Sequence, residues 1–264
     1  MGRFSNLEFD GHEPRDEERS SAGSEIRDEG YYLRLGDQEH RSARFERALR
    51  CYSRALEYNA NVQAAWVGQV QMLIELAEHN EAKLWSDKAL ELHRDHPDIL
   101  SGKAVAWARL GDTDRAIQFS DAALAQKGTS PLVWLSRGEA LMAGRQANDE
   151  HCFEKAASES RHDWFMELRI ARSCYWHRNF SRAMAWATRA MKQEPGSPFV
   201  LHVLGDCQAA LGMQGSAESS YRQALSVDRD FELSRAALAA VEQQGPLARA
   251  WAAITGMFRK EEAT

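Results

Sequence analysis

Small and large apolar residues return along this chain at a fixed interval. Ala48, in RFERA, has counterparts at Ala82, Ala116, Ala183 and Ala217, in steps of 34, 34, 67 and 34 residues. A second series, Ala55, Ala89, Ala123, Ala156, Ala190 and Ala224, advances by 34, 34, 33, 34 and 34. The step of 67 is two periods less one residue, and the step of 33 puts the missing residue in the fourth period. A methyl group lets two helix backbones approach where a larger side chain would hold them apart, so each alanine marks a close helix–helix contact. The residue after each alanine of the second series fills the core: Leu56, Leu90, Leu124, Met191 and Leu225, with Ala157 in the irregular fourth period. Tyr52 and Tyr221 stand four residues after the first alanine, on the same helix face.

A second helical segment precedes this one in each period. Tyr32-Leu35-Gly36, Trp66-Val70, Leu100-Ala104, Trp134-Gly138 and Leu201-Leu204-Gly205 share one register, a large anchor followed by a small residue. Gly111-Asp112, Gly144, Asn179 and Gly212 supply turn chemistry between the two helices. Pro97, Pro131 and Pro198 open a unit, and Ser130 and Ser197 precede two of them. Serine then proline is an N-cap followed by a residue whose missing N–H costs nothing in the first turn.

This large anchor, small residue, aromatic and double-alanine pattern resembles the tetratricopeptide-repeat (TPR) family over about residues 29–230. The resemblance implies an all-α fold, a TPR superhelical solenoid of about six helix-turn-helix repeats with C-terminal capping helices. The expected units are approximately 29–62, 63–96, 97–130, 131–163, 164–197 and 198–231. Departures are visible. The family's late proline is kept at Pro195, while Ala60, Arg94 and Gly128 stand there elsewhere. Glu167 occupies a position where an aromatic or leucine is usual, and Trp164 is expected to fill that gap from an adjacent turn.

The ends differ from the middle. Residues 1–28 are rich in Asp, Glu, Arg, Ser and Gly, with almost no apolar residues after Phe9. Such a segment cannot offset its ordering entropy by burial, and disorder is expected. Residues 231–264 are expected to cap the stack, because a solenoid needs an atypical element where stacking stops. There Leu247, Trp251, Ile254 and Phe258 make one helical stripe.

Composition narrows the chemistry. A hydrophobic content of 44% is enough for a core, and a formal net charge of −6 gives no general attraction to nucleic-acid phosphates. No apolar run approaches a membrane span. The start lacks the apolar core of a secretory signal, and Asn6 stands where a myristoylated Gly2 would want Ser or Thr. Cys51, Cys152, Cys174 and Cys207 form no CxxC pair, which suits a reducing cytoplasm. His93-Arg94-Asp95 matches the first letters of a kinase catalytic loop, but glycine-rich loop and DFG are absent. His93 and His96 fall at a helix end before Pro97 and read as a solvated turn rather than a metal site. No nucleophile–base pair has an interpretable spacing. The expectation is a non-enzyme without cofactor or metal.

The family resemblance implies where a partner would bind. In TPR proteins the first helix of each unit lines the concave face. That register selects Val67, Gln71, Ile74, Ser101, Val105, Leu135, Glu139 and Met142, then Leu168, Arg172, Tyr175, His202 and Asp206. The mixture of apolar and polar groups suits a peptide or helix of another protein. Chaperone-binding members resemble one another in a carboxylate clamp, whose positions here read Leu33, Asp37, Gly68, Asp98 and Gly102. No cation stands there, so that activity is not expected. Trp85, Phe119 and Trp186 share a second-helix position and are expected in the core between repeats rather than on an exposed stripe. The leading expectation is a cytoplasmic protein–protein interaction scaffold with no nucleic-acid or membrane partner. The alternative is a homo-oligomer assembled through its terminal helices.

Overall fold

The computed structural model of the protein describes residues 27–126 and 130–243. They form thirteen α-helices and, among the described residues, no strand. Contacts divide the chain into two compact units, Met1–Asp149 and Glu150–Thr264. The first unit holds α1 (Glu29–Arg41), α2 (Phe45–Tyr58), α3 (Gln63–Glu75), α4 (His79–Leu92), α5 (Pro97–Arg109), α6 (Thr113–Leu124) and α7 (Pro131–Ala143). The second holds α8 (Asp149–Glu159, but for its first residue), α9 (Trp164–Trp176), α10 (Phe180–Gln193), α11 (Pro198–Ala210), α12 (Gln214–Val227) and α13 (Glu232–Gln243).

The helices pair as the period requires. In the first unit α1 packs on α2, α3 on α4 and α5 on α6; in the second, α9 packs on α10 and α11 on α12. First helices also lie beside one another, α1 on α3, α3 on α5 and α5 on α7, then α9 on α11 and α11 on α13. Both alanine series are fully buried, which is the physical reason for their spacing. Trp85 and Trp186 are buried in the core and Phe119 is half-buried against Leu100, Ala123 and Val133. Tyr52 packs so tightly that a Cβ at Gly36 or Gly68 would lie 2.8 or 2.6 Å from its ring. Only glycine fits there.

Helix starts follow the capping chemistry. Ser130 Oγ accepts from the Leu132 N–H at 3.1 Å and Ser197 Oγ from Val200 at 3.4 Å, each ahead of proline. Asp28 Oδ1 accepts from the Tyr31 N–H at 2.8 Å and sets the start of α1. The expected disorder of the N-terminal segment falls on residues outside those described, apart from 27 and 28. The same holds for the stripe from Leu247 to Phe258. Of the expected capping region, α13 is described, and it packs through Ala237, Leu238 and Val241 on Ala217 and Tyr221.

The turn inside each hairpin has one geometry. Ala43, Ala77, Gly111, Arg145, Arg178 and Gly212 all adopt positive φ, between 53° and 86°. The following residue donates its N–H five residues back, as in Arg44 to Glu39, Asp112 to Trp107 and Met213 to Gln208. These are Schellman caps, in which a left-handed residue lets orphan helix carbonyls find donors. Gly144 is an ordinary helix terminus with φ of −78°, and the left-handed residue is its neighbour Arg145. Glycine at the helix end is thus misleading as a marker of the turn. Residues 145 and 178 are 33 apart where the other steps are 34, which agrees with the shortened alanine step.

Candidate interaction surface

In the first unit, equivalent positions of neighbouring first helices form rows: Leu33, Val67, Ser101 and Leu135; then Asp37, Gln71, Val105 and Glu139. Exposure falls along them. Val67, Gln71 and Met142 are half-buried, whereas Ile74, Ser101, Val105, Leu135 and Glu139 are buried. At the α1 end, Tyr52 donates its hydroxyl to Asp37 Oδ1 at 2.8 Å, holding an exposed carboxylate in one place.

Glu139 carries a charge into the interior, with 1% of its side chain exposed. Arg109, at the end of α5, meets it: Nε donates to Oε1 at 2.8 Å and Nη2 to Oε2 at 3.5 Å. Its Nη1 also donates to the Ile74 carbonyl at 3.4 Å, so one guanidinium ties α3, α5 and α7 together. A two-pronged pair of this kind is strong because the planar fork matches the carboxylate. His79, the first residue of α4, is buried nearby. Burial first, and then the Arg109 charge, push its pKa down to about 4 against the opposing pull of Glu139. The imidazole is therefore neutral at physiological pH.

The second unit presents a more polar surface. Arg172, Tyr175 and Asp206 are half-buried; Leu168 and His202 are buried. Asp206 accepts from the Tyr221 hydroxyl at 2.8 Å through Oδ1, and its Oδ2 lies 3.3 Å from His202 Nε2. The His202 ring sits between Tyr221 and Phe231, with centroids 5.7 and 5.8 Å away. Burial lowers its pKa, Asp206 opposes that shift, and Arg172 adds to it. Burial raises the phenols of Tyr175 and Tyr221, with Asp206 acting in the same sense. Cys207 is pushed up to about 12 by burial and then by Asp206, which leaves an inert thiol. Among the described residues, no group of three or more His, Cys, Asp or Glu could hold a metal ion.

Glu167 marks a departure from the repeat pattern. The neighbouring Trp164 packs edge-on against Phe165, 5.4 Å between centroids. Glu167 itself occupies the interior, 1% exposed. Arg189 Nη2 lies 3.0 Å from its Oε1, and Gln193 donates to its Oε2 at 2.6 Å. Arg189 also pairs with Glu154 at 2.7 Å and covers the Trp186 ring at 3.9 Å. Arg109, His79, Arg189 and Gln193 were missing from the residues singled out in the sequence. Arg109 stands 30 residues before Glu139, and no local motif joins them.

A tetratricopeptide-repeat family model matches residues 14–153, and a second one matches residues 200–231. No curated protein matches the chain. Among solved structures, a tetratricopeptide repeat protein from Parabacteroides merdae is 19% identical, with a TM-score of 0.51 over 81% of this chain and 84% of that one. A thermophilic TPR protein from Thermus thermophilus, TTC0263, is 19% identical, with a TM-score of 0.50 over 81% of this chain and 99% of that one. A monomeric IFIT1 mutant with m7Gppp-AAAA is 15% identical, with a TM-score of 0.51 over 90% of this chain and 60% of that one. At these identities the likeness speaks for the fold. With a family model spanning more than half of its length and five helical hairpins in the same period among the described residues, this chain belongs to the tetratricopeptide-repeat family.

Proposed function

We propose that the protein is a non-catalytic scaffold whose first helices hold an extended or helical segment of a partner protein. The TPR fold supports an interaction role, and tetratricopeptide repeats are generally not catalytic. The observation that carries the finer reading is the set of half-exposed side chains in one repeat register. These are Val67, Gln71 and Met142 in the first unit, and Arg172, Tyr175 and Asp206 in the second. Each stands among buried neighbours that fix its helix, so a partner meets a preorganised surface. The buried members of the expected set, such as Leu135, Glu139 and Leu168, support that surface from beneath. No helix of the described residues is long and apolar enough to cross a membrane. The four free thiols support a cytoplasmic setting.

The test is affinity capture from lysate with the wild type, Val67→Glu and Tyr175→Ala, with partners identified by mass spectrometry. Both positions are half-exposed, so the variants should keep the wild-type helical content. Loss of the same partner from either variant supports the reading; equal capture by all three refutes it. Light scattering over a range of concentrations tests self-assembly as the other mode of action.

A further inference from the structure

Away from the first-helix surface, a pocket of about 520 Å³ opens where the turn between α4 and α5 meets the start of α3 and the end of α6. Gln63, His93, Arg94, Asp95, His96 and Gln126 line it. The lining is rich in donors. The Arg94 guanidinium makes no ion pair or hydrogen bond to any described residue, unlike Lys103, Arg109 and Arg137 on the neighbouring helices, each of which meets a carboxylate. Gln126 donates one amide hydrogen to the Ala122 carbonyl at 3.2 Å and has a second to give. His93 Nε2 and His96 Nδ1 are buried without a partner. Asp95 is the one acidic group of the lining. Asp98, the other carboxylate beside His96, is bonded by the Ser130 hydroxyl.

We propose that this pocket is an oxyanion subsite that takes a phosphoryl group, with Arg94 as its ion-pair partner. Gln63, Gln126 and the two imidazoles complete the donor set from three separate chain segments. A carboxylate offers two oxygens in one plane, whereas a tetrahedral phosphoryl group offers three or more pointing apart. That geometry suits donors arriving from several sides, and a guanidinium can grip two of the oxygens at once. The phosphoryl group comes either from a modified partner side chain or from free phosphate.

Nitrogen-15 NMR of the whole protein, following the arginine Nε–Hε signals and the backbone amides of residues 93–96, tests the site. The titrants are inorganic phosphate and a short phosphoserine peptide, with the unphosphorylated peptide as control, all at constant ionic strength. The expected result is a saturable shift of the Arg94 signal. Arg94→Gln should weaken binding by about tenfold or more, since it removes a charge-assisted contact. His93→Gln with His96→Gln should weaken it several-fold. Arg115→Gln, at a guanidinium already paired with Asp112, should change nothing. Tighter binding of the phosphopeptide than of phosphate assigns the source to a partner; equal or weaker binding assigns it to the free ion. Shifts that do not saturate, or an unchanged response in Arg94→Gln, would overturn the proposal. Because Arg94 and both histidines lie outside the first-helix rows, this test stands or falls apart from the scaffold reading.

Discussion

Each unit buries one glutamate on a first helix, and the two are held in different ways. Glu139 in the first unit is met by the Arg109 guanidinium, whose side chain is 8% exposed and which also bonds the Ile74 carbonyl. Glu167 in the second is met by Arg189, 33% exposed and shared with Glu154, and by the Gln193 amide. The first arrangement puts both charges of the pair in the interior. The second spreads the load over several donors and lets water reach one of them. A buried pair loses most when one partner is removed, because the remaining charge is stranded away from solvent.

The comparison is sharpest under substitution of the arginines. Arg109→Met should lower unfolding stability by about 3–5 kcal/mol, and adding Glu139→Leu should restore most of that loss. Arg189→Met should cost about 1–2 kcal/mol, since Gln193 still bonds Glu167 and solvent screens the site. Denaturant unfolding of the three variants measures both. Equal losses at the two arginines would break the contrast.

Acid should also act on the first unit through His79. Its folded pKa of about 4 lies below the ordinary histidine value of about 6.5, so the unfolded chain binds more protons between those limits. Its contribution to stability is therefore full above about pH 6.5 and falls as pH drops toward 4. The carboxylates titrate in the same region. The measurement is thus the difference between wild type and His79→Gln, which should shrink from pH 7.5 to pH 4.5. A constant difference would mean that the imidazole takes up its proton at the same pH in the fold as in the unfolded chain.

The smallest effects belong to the two tyrosine–aspartate bonds, which share the sequence Leu-Gly-Asp on the first helix. Tyr221→Phe should cost about 1–1.5 kcal/mol, because it loosens a half-buried Asp206 that also meets His202. Tyr52→Phe should cost about 0.5 kcal/mol, because Asp37 is exposed and water replaces the phenol. Thermal melts of the pair should keep that order.

Much of the fold was legible because close packing constrains sequence at regular positions. Every alanine of both series is fully buried, and Ser130 and Ser197 cap the helices that their prolines begin. Turns were less legible. Four of the six left-handed residues at the turns within hairpins are not glycine, since hydrogen bonds of the cap enforce the conformation whatever side chain is present. The interaction surface was legible only as a register. Spacing names Val105 and Gln71 as equivalent, yet the first is buried and the second is not, because exposure depends on how closely successive helices pack. Charge pairing was least legible of all. Glu139 reads as a surface carboxylate until Arg109 is brought to it from 30 residues away.

The left-handed caps at Ala43, Ala77, Arg145 and Arg178 leave an engineering reserve in the molecule. A side chain in that conformation costs about 1 kcal/mol that glycine avoids, so each position is a place where the chain could be hardened against heat. None of the four belongs to the half-exposed register on the first helices, and a thermostable version could be built without redrawing what the protein offers to a partner.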